Sequence, residues 1–246
     1  AACTELLEAK KNGQLGECVM PEDSSPDFTA DESEARLAYF TLPMALNYQR
    51  DSYKLWEAAL KTWNDPETQR VFSVSWSAHA DSQDLRERLM KHKIALQPNK
   101  HVDTWQRIAR TVDQEFGTIS ALFTVSDFDF IQLRSRIQGK YKGGFPYLSG
   151  PKIFNYWSFI IQEYGGVLLK NSDQISIAPD THIIKCSVRL GVITEEEAFS
   201  LTREGVSERW RGALEGSGMN PIEVHPALWF WSRGGFAYQL SIPISR

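Results

Sequence analysis

Two residues in the sequence combine a reactive side chain with a position at the start of a predicted helix. Lys152 follows Pro151, and proline is preferred at the first position of a helix. A lysine amine partly removed from water at a helix N-terminus is a candidate nucleophile that can form a Schiff base. Asp180 precedes an amphipathic run, in the N-cap position, where backbone N–H groups hold a carboxylate ionised. Such a carboxylate can stabilise positive charge developing on a substrate.

The segment around Lys152 is predicted to be a helix, a glycine-rich turn and a second helix, over about residues 130–165. The first helix, DFIQLRSRIQ, is expected to end at Gly139, because KYKGGFPYLSG contains three glycines and a proline. Backbone N–H groups in this turn, with a helix N-terminus behind them, would form a phosphate site. The candidate glycines are Gly143, Gly144 and Gly150.

The charge distribution points to the same segment. From Phe130 to Gln162 there is no Asp or Glu, and the stretch contributes +5 to a chain whose formal net charge is −4. An acidic protein with one basic segment suits a local anionic ligand better than general coating of DNA. The basic residues of the stretch are Arg134, Arg136, Lys140, Lys142 and Lys152. All of them except Lys152, the candidate nucleophile, are candidates for DNA binding.

Two longer motifs, FPYLSGPKIFNYW and IAPDTHIIKCSVRLGVI, resemble the signature of the helix-hairpin-helix DNA glycosylases. Leu148, Gly150 and Lys152 match the end of that family's hairpin, and Asp180 with His182 matches its aspartate motif. The likeness is strongest to the archaeal-type 8-oxoguanine glycosylases, whose lysine helix reads roughly KILNY where this chain has KIFNY. It covers about residues 34–240 in element order and is motif-specific over about 143–191. The SGP of this chain lacks the second glycine of the common GxG hairpin.

The resemblance implies an all-α helix-hairpin-helix fold with two helical subdomains and the active-site cleft between them. It implies a monomeric enzyme without a cofactor that acts on double-stranded DNA containing a modified base. Lys152 would be the nucleophile and Asp180 its electrostatic and proton-handling partner, and strand cleavage by an apurinic-site lyase step would follow. The base would be 8-oxoguanine. The alternative is a hypermodified base of phage DNA, such as glucosylated hydroxymethylcytosine, removed in antiviral defence.

Further candidates would contact the base. Tyr156 lies one helical turn after the candidate lysine, where the related enzymes place an aromatic side chain against the base. Trp56 would form the opposite wall, because MALNYQRDSYKLW takes the place of the helix end that borders the lesion pocket in this superfamily. Asn47 and Gln49 would read the base edge or fill the gap left by flipping, and Arg50 would bind DNA. For these residues a core or solvated helix-end position is the alternative.

The elements that must position these residues are predicted to be eight to ten helices with no convincing sheet. Residues 1–33, which include PEDSSPD, are expected to be a loosely ordered acidic leader before a domain at 34–246. VFSVSWS is compatible with a short strand or an extended connection. Thr194 with Glu197 forms a predicted capping box for a helix through Trp210.

Composition excludes several classes of function. The chain is 42% hydrophobic and 24% charged, as expected of a folded globular protein. No apolar run is long enough for a membrane helix, and the N-terminus lacks the layout of a secretion signal, so a cytoplasmic location without a membrane is expected. Three cysteines without CxxC spacing and five scattered histidines give no metal motif.

Two hypotheses from other classes remain open. A non-catalytic helix-hairpin-helix module would bind DNA with a steep salt dependence and release no base. A hydrolase of free nucleosides would need the pocket but not the basic turn.

Overall fold

The computed structural model describes residues 1–241, and its regular structure is helical apart from one isolated bridge between Asp129 and Lys170. The prediction of an all-α fold is confirmed for this part of the chain. It contains thirteen α-helices rather than eight to ten. None of them has both the length and the apolar character needed to cross a lipid bilayer. In chain order they are α1 (Ala2–Lys11), α2 (Ser33–Thr41), α3 (Ser52–Asn64), α4 (Val74–His79), α5 (Ser82–Lys91), α6 (Lys100–Glu115), α7 (Ile119–Val125), α8 (Phe130–Arg134), α9 (Pro151–Glu163), α10 (Thr181–Arg189), α11 (Glu195–Ser200), α12 (Arg203–Leu214) and α13 (His225–Arg233).

The VFSVSWS segment is helical rather than extended. A 3₁₀ helix at Gln69–Phe72 leads into α4, and the N-cap Ser73 accepts a hydrogen bond from the backbone N–H of Trp76. The alternation of apolar and polar residues is produced by two short helices that bury Val71, Phe72 and Val74. A serine cap therefore decides the structure of a segment whose hydrophobic pattern alone resembles a strand.

The chain divides into two compact units. The terminal unit comprises Ala1–Met20 with the chain from Asp173 onward, and the central unit is Pro21–Ser172. This division differs from the expected boundary between a leader and a domain at residue 33.

The first residues of the chain belong to the core of the terminal unit, so they are not a loose leader. The stripe of Cys3, Leu6 and Ala9 on α1 is buried, and α1 packs against α13. Glu5 accepts hydrogen bonds from the backbone N–H and the hydroxyl of Ser241, each at 2.8 Å. The i, i+3, i+6 spacing of the three apolar residues is what a buried helical face requires.

The central unit has an aromatic core. The ring of Trp56 on α3 lies 5.6 Å from the rings of both Tyr39 and Phe40 on α2. Phe72 continues the cluster, with its ring 5.2 Å from Tyr39 and 5.7 Å from Trp105 on α6. Burial of these large rings removes much apolar surface from water, which stabilises the packing of α2, α3 and α6 around one centre.

Residues 130–163 form the predicted helix, turn and helix. α8 continues as a π-helix over Ser135–Lys140, one residue beyond the predicted end, and a 3₁₀ turn at Lys142–Gly144 follows. Gly150 is the N-cap of α9, with Pro151 in the first turn. A side chain at Gly144 would collide with Thr111 of α6, whose hydroxyl donates to the Gly144 carbonyl at 3.2 Å. This glycine is therefore required for close packing of the turn on α6.

We expect Leu6→Ala to lower the free energy of unfolding by about 3 kcal/mol, because it deletes a fully buried side chain from the terminal unit. Urea unfolding followed by tryptophan fluorescence measures the change. Glu8→Ala, on the exposed face of the same helix, is the control and is expected to change stability by less than about 0.5 kcal/mol. Equal stabilities of Leu6→Ala and the parent would contradict a structural role for α1.

Candidate functional site

Lys152 is an exposed residue in the first turn of α9, in the central unit. The opposite face of the helix is fixed in the core. Phe154 stacks on Phe130 of α8 with ring centroids 5.5 Å apart, and the indole N–H of Trp157 donates to the Thr41 hydroxyl at 3.1 Å. The lysine is therefore presented to solvent from a helix whose orientation is set by buried aromatic contacts.

Asp180 is the N-cap of α10 in the terminal unit, as predicted. Its Oδ1 accepts a hydrogen bond of 2.9 Å from the backbone N–H of Ile183, and its Oδ2 accepts one of 3.1 Å from the indole N–H of Trp229. The Arg233 guanidinium lies 5.0 Å from the ring centroid of this indole, and the His182 ring makes a T-shaped contact with it at a centroid distance of 5.5 Å. Both carboxylate oxygens thus have fixed donors, which orients a half-buried charge.

Two residues predicted to contact a base, Trp56 and Tyr156, both form hydrogen bonds to a carboxyl group that was not a candidate in the sequence analysis. The indole N–H of Trp56 donates to Glu22 Oε1 at 2.8 Å. The Tyr156 hydroxyl lies 3.2 Å from both carboxyl oxygens of Glu22. Glu22 sits in the 3₁₀ turn Pro21–Asp23, within the region expected to be a loose leader. The three side chains form what we call the Glu22 cluster.

The Glu22 carboxyl is fully buried, at 0% exposure. Its removal from water raises its pKa from 4.5 to about 7, and the nearby Asp23 carboxylate acts in the same direction, whereas the hydrogen bonds from Tyr156 and Trp56 oppose the shift. A group with a pKa near neutrality changes charge in the range where general acids and bases work. Its burial makes Glu22 a candidate for chemistry and not only for packing.

The structure does not support Trp56 as a stacking wall for a base. The side chain is fully buried among the aromatic residues of the central unit, so neither face of the indole is open to a ligand. Tyr156 differs, because the residue is partly exposed while its hydroxyl is bound to Glu22. Trp56 acts instead as a hydrogen-bond donor from the core.

The segment between α2 and α3 contains the other predicted base contacts. Arg50 is not an open phosphate ligand, since its guanidinium donates to the carbonyl oxygens of Ile94 at 2.8 Å and Lys93 at 3.2 Å. Asn47 accepts a hydrogen bond of 3.0 Å from the Ser52 hydroxyl. Gln49 is exposed and has a left-handed backbone, with φ of 51°. Strain of this kind in a residue other than glycine is common at functional sites.

A pair of stacked tyrosines joins this segment to the turn before α9. The rings of Tyr48 and Tyr147 are parallel within 9°, with centroids 4.0 Å apart. The Lys100 ammonium lies 5.2 Å and 5.1 Å from the two centroids, and its hydrogen bond lowers the pKa of the Tyr147 hydroxyl. Residues 47–50 and the turn at 139–151, both predicted to contact DNA, therefore lie side by side in the central unit.

Most basic residues of the turn lie on the surface and form no ion pair with the described carboxylates. Arg134, Lys140 and Lys142 are exposed, and within residues 1–241 none of them is paired with a carboxylate. Arg136 is half-buried and donates to the Val125 carbonyl at 2.7 Å. Gly143 has open space around it, as a close approach of phosphate to the backbone requires.

Among residues 1–241, no group of three or more His, Cys, Asp or Glu side chains is arranged to hold a metal ion. Comparison of the sequence with protein-family models and with curated proteins finds no match.

Sequence analysis missed Glu22, Tyr48, Tyr147 and Lys100. A lone acid in a turn-rich segment has no periodicity, and the tyrosine pair is formed by residues about a hundred positions apart.

The pKa of Glu22 predicts a specific pH dependence of stability. A carboxyl whose pKa is raised on folding favours the folded state fully below pH 4.5, and this contribution is lost as the pH rises through about 7. The loss amounts to about 3 kcal/mol. Glu22→Gln keeps an oxygen acceptor without the charge, so we expect the variant to gain about this much relative to the parent between pH 5 and pH 8.

Denaturant unfolding at the two pH values measures this difference. Glu17→Gln, which neutralises an exposed carboxylate, is the matched control and is expected to show no such change. A parent-to-variant difference that stays constant from pH 5 to pH 8 would mean that Glu22 does not titrate in this range.

Proposed function

We propose that the protein is a DNA glycosylase with an associated lyase activity, which removes a modified base by using Lys152 as nucleophile. The observation that carries the proposal is an exposed lysine on the first turn of α9, directly after a basic turn and on a helix anchored in the core. Enzymes that cut an N-glycosidic bond need a rigidly presented nucleophile next to a phosphate-binding surface. The motif resemblance supports the same function.

The proposed reaction begins when a base is rotated out of the DNA stack. The neutral Lys152 amine attacks the anomeric carbon of the deoxyribose, and the base departs as its bond to that carbon breaks. Opening of the sugar ring leaves a Schiff base between lysine and sugar. The motif resemblance gives the Asp180 carboxylate, which is oriented by Ile183 and Trp229, the role of stabilising the positive charge that develops on the sugar. The Schiff base makes the 2′ proton acidic, so elimination of the 3′ phosphate follows.

The turn and the α2–α3 segment would hold the DNA. Phosphates would bind Arg134, Lys140 and Lys142 and the open backbone at Gly143. Gln49, exposed next to the stacked Tyr48, is the better placed of the predicted residues to fill the gap left by the flipped nucleotide. The ring of Tyr156, a partly exposed residue, would contact the base.

The proposed substrate is double-stranded DNA with 8-oxoguanine, which is the base suggested by the motif resemblance. The alternative substrate is phage DNA with a hypermodified cytosine such as glucosylated hydroxymethylcytosine. The chemistry described needs only side chains and water, so we propose an enzyme without a cofactor. We propose that it is monomeric, as the resemblance implies, and cytoplasmic, as expected from the sequence.

Borohydride trapping tests the nucleophile and the substrate together. We expect the parent protein to form a covalent adduct with one of the two modified DNAs and Lys152→Ala to form none, because reduction traps only a Schiff base. Asp180→Asn keeps the N-cap acceptor but removes the charge, and we expect it to slow base release by on the order of 100-fold. Lys61→Ala, which removes an exposed lysine on α3, is the control. An adduct with Lys152→Ala equal to that of the parent would exclude the mechanism.

The salt dependence of DNA binding tests the role of the basic turn. Each lysine that contacts a phosphate contributes about 0.9 to the slope of log affinity against log salt. We therefore expect Lys140→Gln with Lys142→Gln to reduce the magnitude of this slope by about 2, and Lys61→Gln to leave it unchanged. Binding with this slope but without base release from either DNA would favour the non-catalytic module. Cleavage of free nucleosides that is insensitive to the double variant would favour the nucleoside hydrolase.

A further inference from the structure

Glu22 differs from every other acid in the described residues, because it is buried with 0% exposure. Its carboxyl accepts hydrogen bonds from neutral donors of two other elements, the Trp56 indole and the Tyr156 hydroxyl. We propose that Glu22 accepts, through the Tyr156 hydroxyl, the proton that Lys152 must lose before it can act as a nucleophile. This inference rests on the function proposed above. It gives the Glu22 cluster a chemical role next to the nucleophile, within the central unit.

The connection between Lys152 and Glu22 follows from the geometry of α9. Lys152 and Tyr156 are four residues apart on one helix, so they share a face, and side chains in a helix lean toward its N-terminus. The Tyr156 side chain is therefore directed over the turn that carries Lys152. Its hydroxyl lies 3.2 Å from each oxygen of Glu22, and the residue as a whole is partly exposed. Tyr156 thus extends from an exposed first turn to a buried carboxylate.

Burial makes Glu22 a stronger base than an ordinary glutamate. An increase in pKa from 4.5 to about 7 makes proton transfer from an ammonium group to this carboxylate about 300-fold more favourable. General bases work best when their pKa lies near the working pH. The indole N–H of Trp56 supplies a second fixed donor, so the carboxylate keeps one orientation while Tyr156 exchanges protons.

Among the titratable side chains described around Glu22, Tyr156 is the one whose hydroxyl is hydrogen-bonded to the Glu22 carboxyl. The titratable groups that interact with Glu22 are its neighbour Asp23, Tyr39 of α2, Tyr156 of α9 and Tyr164 directly after α9. Burial raises the pKa of both Tyr39 and Tyr164 well above the usual value, so these two stay protonated. The Tyr164 hydroxyl donates to Asp23 at 2.7 Å.

The proposed transfer conserves protons and charge. The Lys152 ammonium gives one proton to the Tyr156 oxygen as the Tyr156 hydroxyl proton moves to the Glu22 carboxylate. The products are a neutral amine, an unchanged phenol and a neutral carboxylic acid. When the lysine is released from the sugar at the end of the reaction, the same path returns the proton from Glu22 to the amine.

Single-turnover base release measured from pH 5.5 to pH 9, with enzyme in excess over modified DNA, tests the proposal. We expect the parent rate to rise with pH through about 7 and then level off, as the Glu22 carboxylate becomes available. Glu22→Gln and Tyr156→Phe should each lose this rise of the rate with pH. Each variant should react on the order of 100-fold more slowly than the parent at pH 7.5. Tyr164→Phe removes a nearby hydroxyl that is bound to Asp23, and it should keep the parent profile.

Difference infrared spectroscopy of the parent against Glu22→Gln provides a measurement that needs no substrate. We expect a carboxylic-acid C=O band that disappears with a midpoint near pH 7. A parent enzyme that releases base while Glu22→Gln and Tyr156→Phe keep its pH profile would overturn this inference alone. An infrared spectrum in which the Glu22 carboxyl is already ionised at pH 5.5 would also overturn this inference alone. A parent that releases no base from any DNA would overturn the proposed function instead. If Glu22→Gln does not fold, the profile of Tyr156→Phe decides.

Discussion

The packing of α9 is the constraint on which the candidate site depends. This helix carries an exposed lysine in its first turn and, on its other side, the buried rings of Phe154 and Trp157. Trp157 is also tied to α2 by its hydrogen bond to Thr41. The lysine is therefore held by core packing and not by a loop. Reactive groups need this precision, because a displacement of about 1 Å can reduce a rate by on the order of 100-fold.

The parts of the fold that could be predicted from the sequence are those fixed by local interactions. Pro151 starts α9 and Asp180 caps α10, because these effects operate within three or four residues. Thr194 and Glu197 form their predicted capping box, but the helix expected to reach Trp210 is broken after α11. Thr202 provides a second cap there, and the sequence pattern gave no means of ranking two competing helix starts.

The residues that prediction placed incorrectly depend on tertiary contacts. Trp56 occupies the expected position along the chain, yet its ring is enclosed by α2 and its N–H points to a carboxyl group 34 residues earlier. Arg50 has the right charge for a phosphate, but two carbonyl groups of the α5–α6 connection already use its guanidinium. Residue type limits what a side chain can do. The partners that decide what it does are brought together only by the folded chain.

Packing and hydrogen bonding in the Glu22 cluster do not require an ionisable group at this position. The Trp56 N–H and the Tyr156 hydroxyl need a buried acceptor, because an unsatisfied buried donor costs about 1–3 kcal/mol. A neutral amide oxygen in the place of Glu22 would satisfy both donors without the penalty of burying an ionisable group. The hydrogen bonds alone therefore explain an acceptor at this position but not an acid. What only an acid supplies is a proton that can be exchanged near neutral pH, and this supports a chemical role for the group that contacts the lysine helix.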